Sequence, residues 1–429
     1  MATSARKPTN KHRLTRRGLF TLGGGVAAAG VVGGGIAAFS GGGANAAQTG
    51  TATAIGTPTA RPEALVHPGM LHNAGDLHRA KVRVAARKDP WLSGWTRLTA
   101  NRHSDSTWQA RPQATVVRGG TGQNYVTLYN DIHAAYQNAL RWRIGGTKAN
   151  GDTAVAILNA WSATLATVSG NSDRFLASGI YGYQFANAAE LVRDHPDFEF
   201  ARFKKMMTTV FKPMNIDFLT NHNTANITNY WANWDLCNVA SLMATGILCD
   251  DRATFERGVT YMKSGAGNGS FQHAIPFVYD GQGLAQWQES GRDQGHTMMG
   301  MGLLGAICEM AWNQDVDLYG YLDNGFMKAA EYVAKYNLGG VVPFTTYAWR
   351  SGQGNGKYME QPVISDIARG AVRPVWEILY NHYARRRRLS TPFITLMAEK
   401  VRAEGGGGDY GPNSGGFDQL GFGTLLYSK

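Results

Sequence analysis

From residue 66 onward, apolar residues recur at three- and four-residue spacing along most of the chain. That is the spacing of one buried helix face. It predicts helices over 131–143, 152–168, 175–193, 198–221, 230–250 and 252–263. A second group is predicted over 296–312, 326–337, 372–387 and 391–402. Period-two alternation, the mark of strands, is scarce. Polar, glycine-rich stretches at 264–270 and 351–357 read as loops. About ten helices of similar length predict an all-α protein. The architecture expected is an (α/α) toroid, an incomplete α/α barrel of helical hairpins, with a central groove where helix ends and loops converge. An α-solenoid or an irregular bundle is the alternative, but no fixed repeat runs through the sequence. Residues 405–416 are glycine-rich; with 417–426 they read as a C-terminal loop laid back on the body.

The first 65 residues break from this pattern. Thr15-Arg16-Arg17-Gly18-Leu19-Phe20 is a twin-arginine pattern, a Gly/Ala/Val stretch follows from Leu22 to Phe39, and Ala44-Asn45-Ala46 is a small-residue cleavage site. That order marks residues 1–46 as a twin-arginine signal peptide. Residues 47–65, rich in Thr, Ala, Pro and Gly, read as a linker, and 66–429 as one folded domain. The expected product is a bacterial protein, secreted or periplasmic. No stable membrane association is expected after signal removal, because the apolar stretch is too glycine-rich for a good anchor.

Composition narrows the partner. Of 429 residues, 43% are hydrophobic, enough for a large core. The formal charge is +11, but six basic residues lie in the first 46. Without them 36 basic and 31 acidic residues remain, a net +5. The one basic run left, Arg385, Arg386, Arg387 and Arg388, reads as a solvated helix end, so nucleic acid is not the expected partner. A modest positive surplus suits a polyanion. Cys237, Cys249 and Cys308 form no C-x-x-C pair, and Cys237 and Cys308 fall in apolar helical patterns as buried thiols. Nucleotide-loop, zincin and hydrolase-elbow motifs are absent. No metal and no cofactor is expected, and the protein is read as a monomer.

Three polar and aromatic clusters carry the candidate chemistry. The first, HNTANITNYWANWDLCN from His222, packs Asn223, Asn226, Asn229 and Asn233 around Trp231 and Trp234. Amides bond hydroxyls and carboxylates, and indoles stack on sugar faces; a plainer reading is a helix cap plus core tryptophans. With Thr228 or Asn229 as the cap, Asn229 and Asn233 would lie one turn apart on one face. The second, QWQESGRDQGH from Gln286, puts Glu289, Arg292, Asp293 and His296 at the start of an apolar helix. Arg292 and the helix start would both favour a neutral His296. Its plainer reading is a capping network around Asp293. The third, PFTTYAWRSGQGNGKY from Pro343, joins Tyr347, Arg350, Lys357 and Tyr358 in a loop able to wall a cleft.

At these residues the chain resembles the alginate lyase superfamily, in the branch of alginate and glucuronan lyases (polysaccharide lyase family 38-like). The segments that carry the resemblance are NYWANWDLCNVASLMATGILCDD, QESGRDQGHTMMGMGLLGAICEMAWNQDVDLY, KYNLGGVVPF and RPVWEILYNHY, together with the opening HPGMLHNAGDLHRAKVRVAARKDPW. The resemblance implies an (α/α) toroid, β-elimination on a polyuronate, and shared work by an Asn, a His, a Tyr and an Arg. A related branch carries Asn-Asn-His before its Tyr-Trp; here Asn226-Ile227-Thr228 stands there, so the histidine must come from elsewhere. The resulting assignment gives carboxylate neutralisation to Asn233, with Asn229 as substitute, and the base to His296. Tyr358 is acid or base, with Tyr347 its rival, and Arg350 or Arg292 binds the carboxylate. Trp231, Trp234, Glu289 and Lys357 complete the substrate contacts. Two other readings stay open: a glycoside hydrolase using two of Glu289, Asp293 and Asp235, and a non-catalytic polysaccharide-binding protein.

Overall fold

The computed structural model of the protein describes residues 64–429; the expected signal peptide, 1–46, and all but the last two residues of the expected linker, 47–65, lie outside the described residues. Two short helices, α1 (Ala74–Ala85) and α2 (Trp91–Ala100), precede the expected set. Hairpins follow: α3 (Tyr125–Gly145) with α4 (Lys148–Thr164), then α5 (Arg174–Glu190) with the pair α6 (Phe200–Met206) and α7 (Lys212–Asn221), which a π-helical turn at Met207–Phe211 joins. Next come α8 (Ala232–Leu248) with α9 (Arg252–Ser264), the one-turn α10 (Phe271–Ala274), and α11 (Gln294–Trp312) with α12 (Tyr321–Asn337). The chain closes with α13 (Trp376–Tyr380), which runs into a π-helical turn at Asn381–Arg386, then α14 (Pro392–Val401) and the one-turn α15 (Gly423–Leu426).

The first helix of each long hairpin lies inside. α3 packs on α5, α5 on α8, and α8 on α11, while α4 and α9 back α3 and α8. This is a two-layered ring, the α/α toroid that the hairpin pattern predicts. Two glycines on one face of α5 set the closest approach. A Cβ on Gly179 would lie 2.4 Å from Cys237 Sγ, and one on Gly182 2.1 Å from Ser241 Oγ. Only a residue without a side chain lets α5 and α8 approach this closely.

The inner helices bury polar groups, and several of them hold loops in place. Asp131 on α3 accepts from Trp108 Nε1 at 2.9 Å, Trp161 Nε1 at 2.8 Å and the Arg111 backbone N–H at 2.7 Å. The Gly407 carbonyl accepts from Asn101 Nδ2 at 2.9 Å and Gln137 Nε2 at 3.1 Å. The Phe417 carbonyl accepts from Gln184 Nε2 at 2.8 Å, and the Asp418 carbonyl from the Tyr183 hydroxyl at 2.7 Å. The C-terminal loop is therefore laid back on the body, gripped by the polar faces of α3 and α5.

Several expectations are corrected. The 343–358 segment is not a loop: β5 (Tyr347–Ser351) pairs antiparallel with β6 (Lys357–Gln361), and four shorter strands precede them, β1 (Thr115–Val117), β2 (Thr167–Ser169), β3 (Phe277–Tyr279) and β4 (Leu284–Gln286). Strands of three to five residues leave too short an alternation to read. The arginine run is a solvated helix end at Arg385, Arg387 and Arg388, which are exposed, but not at Arg386. Arg386 donates to both oxygens of the buried Glu309, at 2.8 and 3.2 Å, and its guanidinium sits 5.0 Å from the Trp312 ring centre. Cys237 and Cys308 are buried free thiols, as expected, and Cys249 is also free.

One buried carboxyl gives a stability prediction. Burial, with the neighbouring Glu377 carboxylate, pushes Glu404 up to about 8. Its folded value lies above its unfolded one, so the ionised form disfavours the fold. Stability is thus lost as pH rises from the ordinary carboxyl range toward 8. Glu404→Gln keeps an acceptor for the Trp376 and Glu377 backbone N–H groups that Glu404 Oε1 now serves. Thermal melts of the two proteins are expected to coincide near pH 5, with the variant melting higher at pH 9.

Candidate active site

The site is built on the N-terminal ends of α8 and α11. Asp293 caps α11: its Oδ1 accepts from the His296 backbone N–H at 2.8 Å, while its Oδ2 lies 2.7 Å from His296 Nδ1. On the other side of the ring, Nε2 lies 3.0 Å from Arg292 Nη2. A guanidinium only donates, so Nε2 must carry the lone pair and Nδ1 the proton. His296 is therefore neutral and oriented by a carboxylate. Burial works against the Asp293 carboxylate, but the bonds from the His296 ring and backbone outweigh it and hold it below the ordinary range.

Arg292 also donates to Glu289 Oε2 at 2.9 Å, and Glu289 Oε1 accepts from the Asn233 backbone N–H at 2.9 Å. Burial pushes the Glu289 carboxyl up, against the pull of Arg292. Glu289 thus pins the start of α8 to Arg292. Asn233 is 2% exposed; its Nδ2 has only the Met299 sulfur, at 3.5 Å, and its Oδ1 has no partner. A buried amide left this poorly satisfied is unusual in a native core.

Asn233, Asp293 and His296 line one cavity of about 240 Å³ with Arg118, Arg373 and Asp418. The last three were not among the expected site residues. Arg118 follows β1 and rests against the rings of Tyr125 and Tyr181, 5.1 and 5.6 Å from their centres. Nη1 of Arg373 is buried without a partner. Three arginines thus surround or adjoin the His296–Asn233 pair. Among the described residues, one trio could reach a single metal ion: Asp152, His195 and Asp197. None of them lines this cavity, and Lys148 Nζ already bonds both oxygens of Asp152, at 2.6 and 2.8 Å.

Residues 83–342 match the alginate lyase family. The chain belongs to that family. The lyase also shares its fold with solved structures: alginate lyase A1-III from Sphingomonas species A1 superposes with a TM-score of 0.53 at 16% identity, over 85% of this chain and 97% of that one. A histidine-to-alanine variant of alginate lyase A1-III, complexed with tetrasaccharide, gives the same figures. No curated protein matches the chain. No described helix of the lyase is long and apolar enough to cross a membrane.

The lyase's other expected site residues divide. Trp231 joins the site: Arg292 lies 5.3 Å from its ring centre, and Trp349 packs on it at 4.9 Å. Tyr347 lies on the same inner face of the β5–β6 hairpin, where Gln288 Nε2 donates to its hydroxyl at 2.9 Å and burial pushes that hydroxyl up to about 12. Arg350 and Tyr358 are cross-strand partners, and Arg350 stands one residue after Trp349 and three after Tyr347, so the pair shares the opposite, outer face. There Tyr358 is 58% exposed and bonds Glu360 at 3.1 Å, while Arg350 bonds the Asn355 carbonyl at 3.3 Å. Lys357 is exposed at the hairpin end. Asn229 does not share a helix face with Asn233, because α8 starts at Ala232; its Oδ1 accepts from the Gly352 N–H at 2.6 Å and anchors the hairpin. Trp234 packs between Tyr230 and Phe218, at 4.6 and 5.9 Å between ring centres. The dense asparagine cluster is in good part a hairpin mount.

Proposed function

We propose that this lyase is exported, acts as a monomer, and cleaves a uronic-acid polymer, alginate or glucuronan, by β-elimination. The observation that carries the reading is the single cavity that joins a neutral, carboxylate-oriented histidine to an unsatisfied buried amide and arginines. The C5 proton of a uronate is weakly acidic, because the adjacent carboxylate is already anionic. Its removal builds more charge on that carboxylate, and preorganised donors there lower the barrier. Asn233 and Arg292 are the donors assigned to that charge, and His296 Nε2 takes the proton. In the free protein Arg292 covers the Nε2 lone pair. A substrate carboxylate that draws Arg292 away would therefore expose the base as it binds. Trp231 and Trp349 supply aromatic faces beside the site, where sugar rings can stack.

The hydrolase reading needs two available carboxylic acids. Glu289 is held by Asn233 and Arg292, Asp293 by His296, and Asp235 by His222, Tyr261 and Gly269. These commitments favour elimination. The test is digestion of alginate blocks, glucuronan and hyaluronan, following the far-ultraviolet absorbance of the conjugated enoate that elimination creates. Rising absorbance in step with new chain ends is expected on one of the first two. New reducing ends without that chromophore would overturn the proposal.

A further inference from the structure

The β-elimination reading leaves one role unassigned, the group that protonates the departing O4. Tyr358 is on the outer face of its hairpin, and none of the residues lining the cavity is a tyrosine. Two carboxyl groups line it, those of Asp293 and Asp418. The first is taken up by the ring and backbone of His296.

We propose that Asp418 is the acid of the elimination, its carboxyl group delivering a proton to O4 as the C4–O4 bond breaks. This inference rests on the elimination reading above. Asp418 is 7% exposed, and its only hydrogen bond among the described residues is at the backbone, where its carbonyl accepts from Tyr183. A buried carboxylate without donors is a costly arrangement, and the neutral acid is the form such a place favours. Burial pushes the group up, while the titratable groups that face it, Arg118, Arg373 and His296, pull the other way without reversing the shift. The segment that carries Asp418 is held in register: Gln184 grips the Phe417 carbonyl, Tyr183 grips that of Asp418, and Arg373 packs so close to Gly415 that a Cβ there would meet its Nη2 at 2.6 Å.

The step balances. His296 Nε2 takes the C5 proton, the C–H electron pair forms the C4–C5 double bond, and the C4–O4 pair leaves on oxygen, which takes the proton of Asp418. The products are an unsaturated uronate, a free hydroxyl end, an imidazolium and a carboxylate. Arg118 and Arg373 stabilise the new carboxylate, and water carries the proton from His296 back to Asp418 after product leaves.

The test compares two leaving groups. A uronate polymer needs its O4 protonated, whereas a 4-deoxy-4-fluoro uronoside loses fluoride and needs no acid. Asp418→Asn keeps the shape of the neutral carboxyl. On the polymer its kcat is expected to fall about 100-fold or more, within the range for general acid catalysis, with KM little changed. On the fluoro substrate the loss is expected to stay below roughly tenfold. Equal losses on the two substrates, or near-normal turnover of the polymer, would overturn the assignment and leave Asp418 as a partner that balances the two arginines. The unmodified protein offers a check free of any folding defect. Its kcat on the polymer should decline at high pH, as the acid ionises, and that decline should be missing with the fluoro substrate. An identical alkaline decline with both would also overturn it. Failure to act on any uronate would instead count against the elimination reading itself.

Discussion

Replacing His296 with alanine is expected to lower kcat on the polyuronate by about 10²–10⁴-fold, the usual worth of general base catalysis. The geometry says why the loss falls on turnover. The ring's proton is fixed on Nδ1 by Asp293, which leaves Nε2 as the basic atom on the cavity wall. The fold should survive, because Asp293 caps α11 through the His296 backbone N–H, and alanine keeps that bond. The ring itself is 41% exposed and contributes little packing. Turnover and melting temperature measured on one preparation decide the matter. A folded variant that keeps more than about a tenth of the normal rate would remove His296 from the base role, and Tyr347 would be the next group to test.

The second large effect is expected at Arg292, which serves stability and chemistry together. Its guanidinium bonds the wholly buried Glu289, caps the His296 lone pair and lies on Trp231. Arg292→Ala leaves a buried carboxylate unpaired, which costs on the order of 3 kcal/mol, at the lower end of the usual range because Arg292 is 24% exposed. Without its cation, Glu289 will be pushed further up and will bind a proton. The sign follows: the folded form then holds a proton that the unfolded chain gives up, so the stability deficit widens as pH rises above the ordinary carboxyl range. Melts at pH 5 and pH 8 should show it. Activity should fall as well, and here Arg292→Lys discriminates. Lysine restores charge to Glu289 but not the fork that can bond Glu289, His296 and Trp231 at once. Recovered stability with turnover still depressed is expected. Full recovery of turnover in the lysine variant would show that only charge at Glu289 matters.

The helical spacing was legible because each long helix buries a face, and burial writes a 3.6-residue period into the chain. The second cluster was legible for a similar reason. Arg292, Asp293 and His296 sit within five residues at a helix start, so their mutual contacts are local, set by one turn of backbone. Asn233 was legible beside Trp231, though its partner Glu289 is 56 residues away. Asn229 shows where local reading fails. In sequence it looks like another amide of the same cluster, but a backbone N–H from residue 352 claims it. The outer placement of Arg350 and Tyr358 was equally hidden, because the alternation that separates them from Tyr347 and Trp349 has meaning only once the segment is a strand pair.

By itself, then, the amino-acid sequence determined the all-helical class, the helix faces and the histidine site at the start of α11, all products of near-neighbour contacts. Tertiary structure decided which distant groups close the cavity. Arg118 comes from the loop after β1, Arg373 from the approach to α13, and Asp418 from the C-terminal loop that α3 and α5 grip through buried amides and a tyrosine hydroxyl. No periodicity announces such residues: the loop that carries Asp418 is placed by hydrogen bonds that span more than two hundred positions, and Arg118 bonds Ser169 and Tyr181, partners that only the packed ring of helices brings within reach.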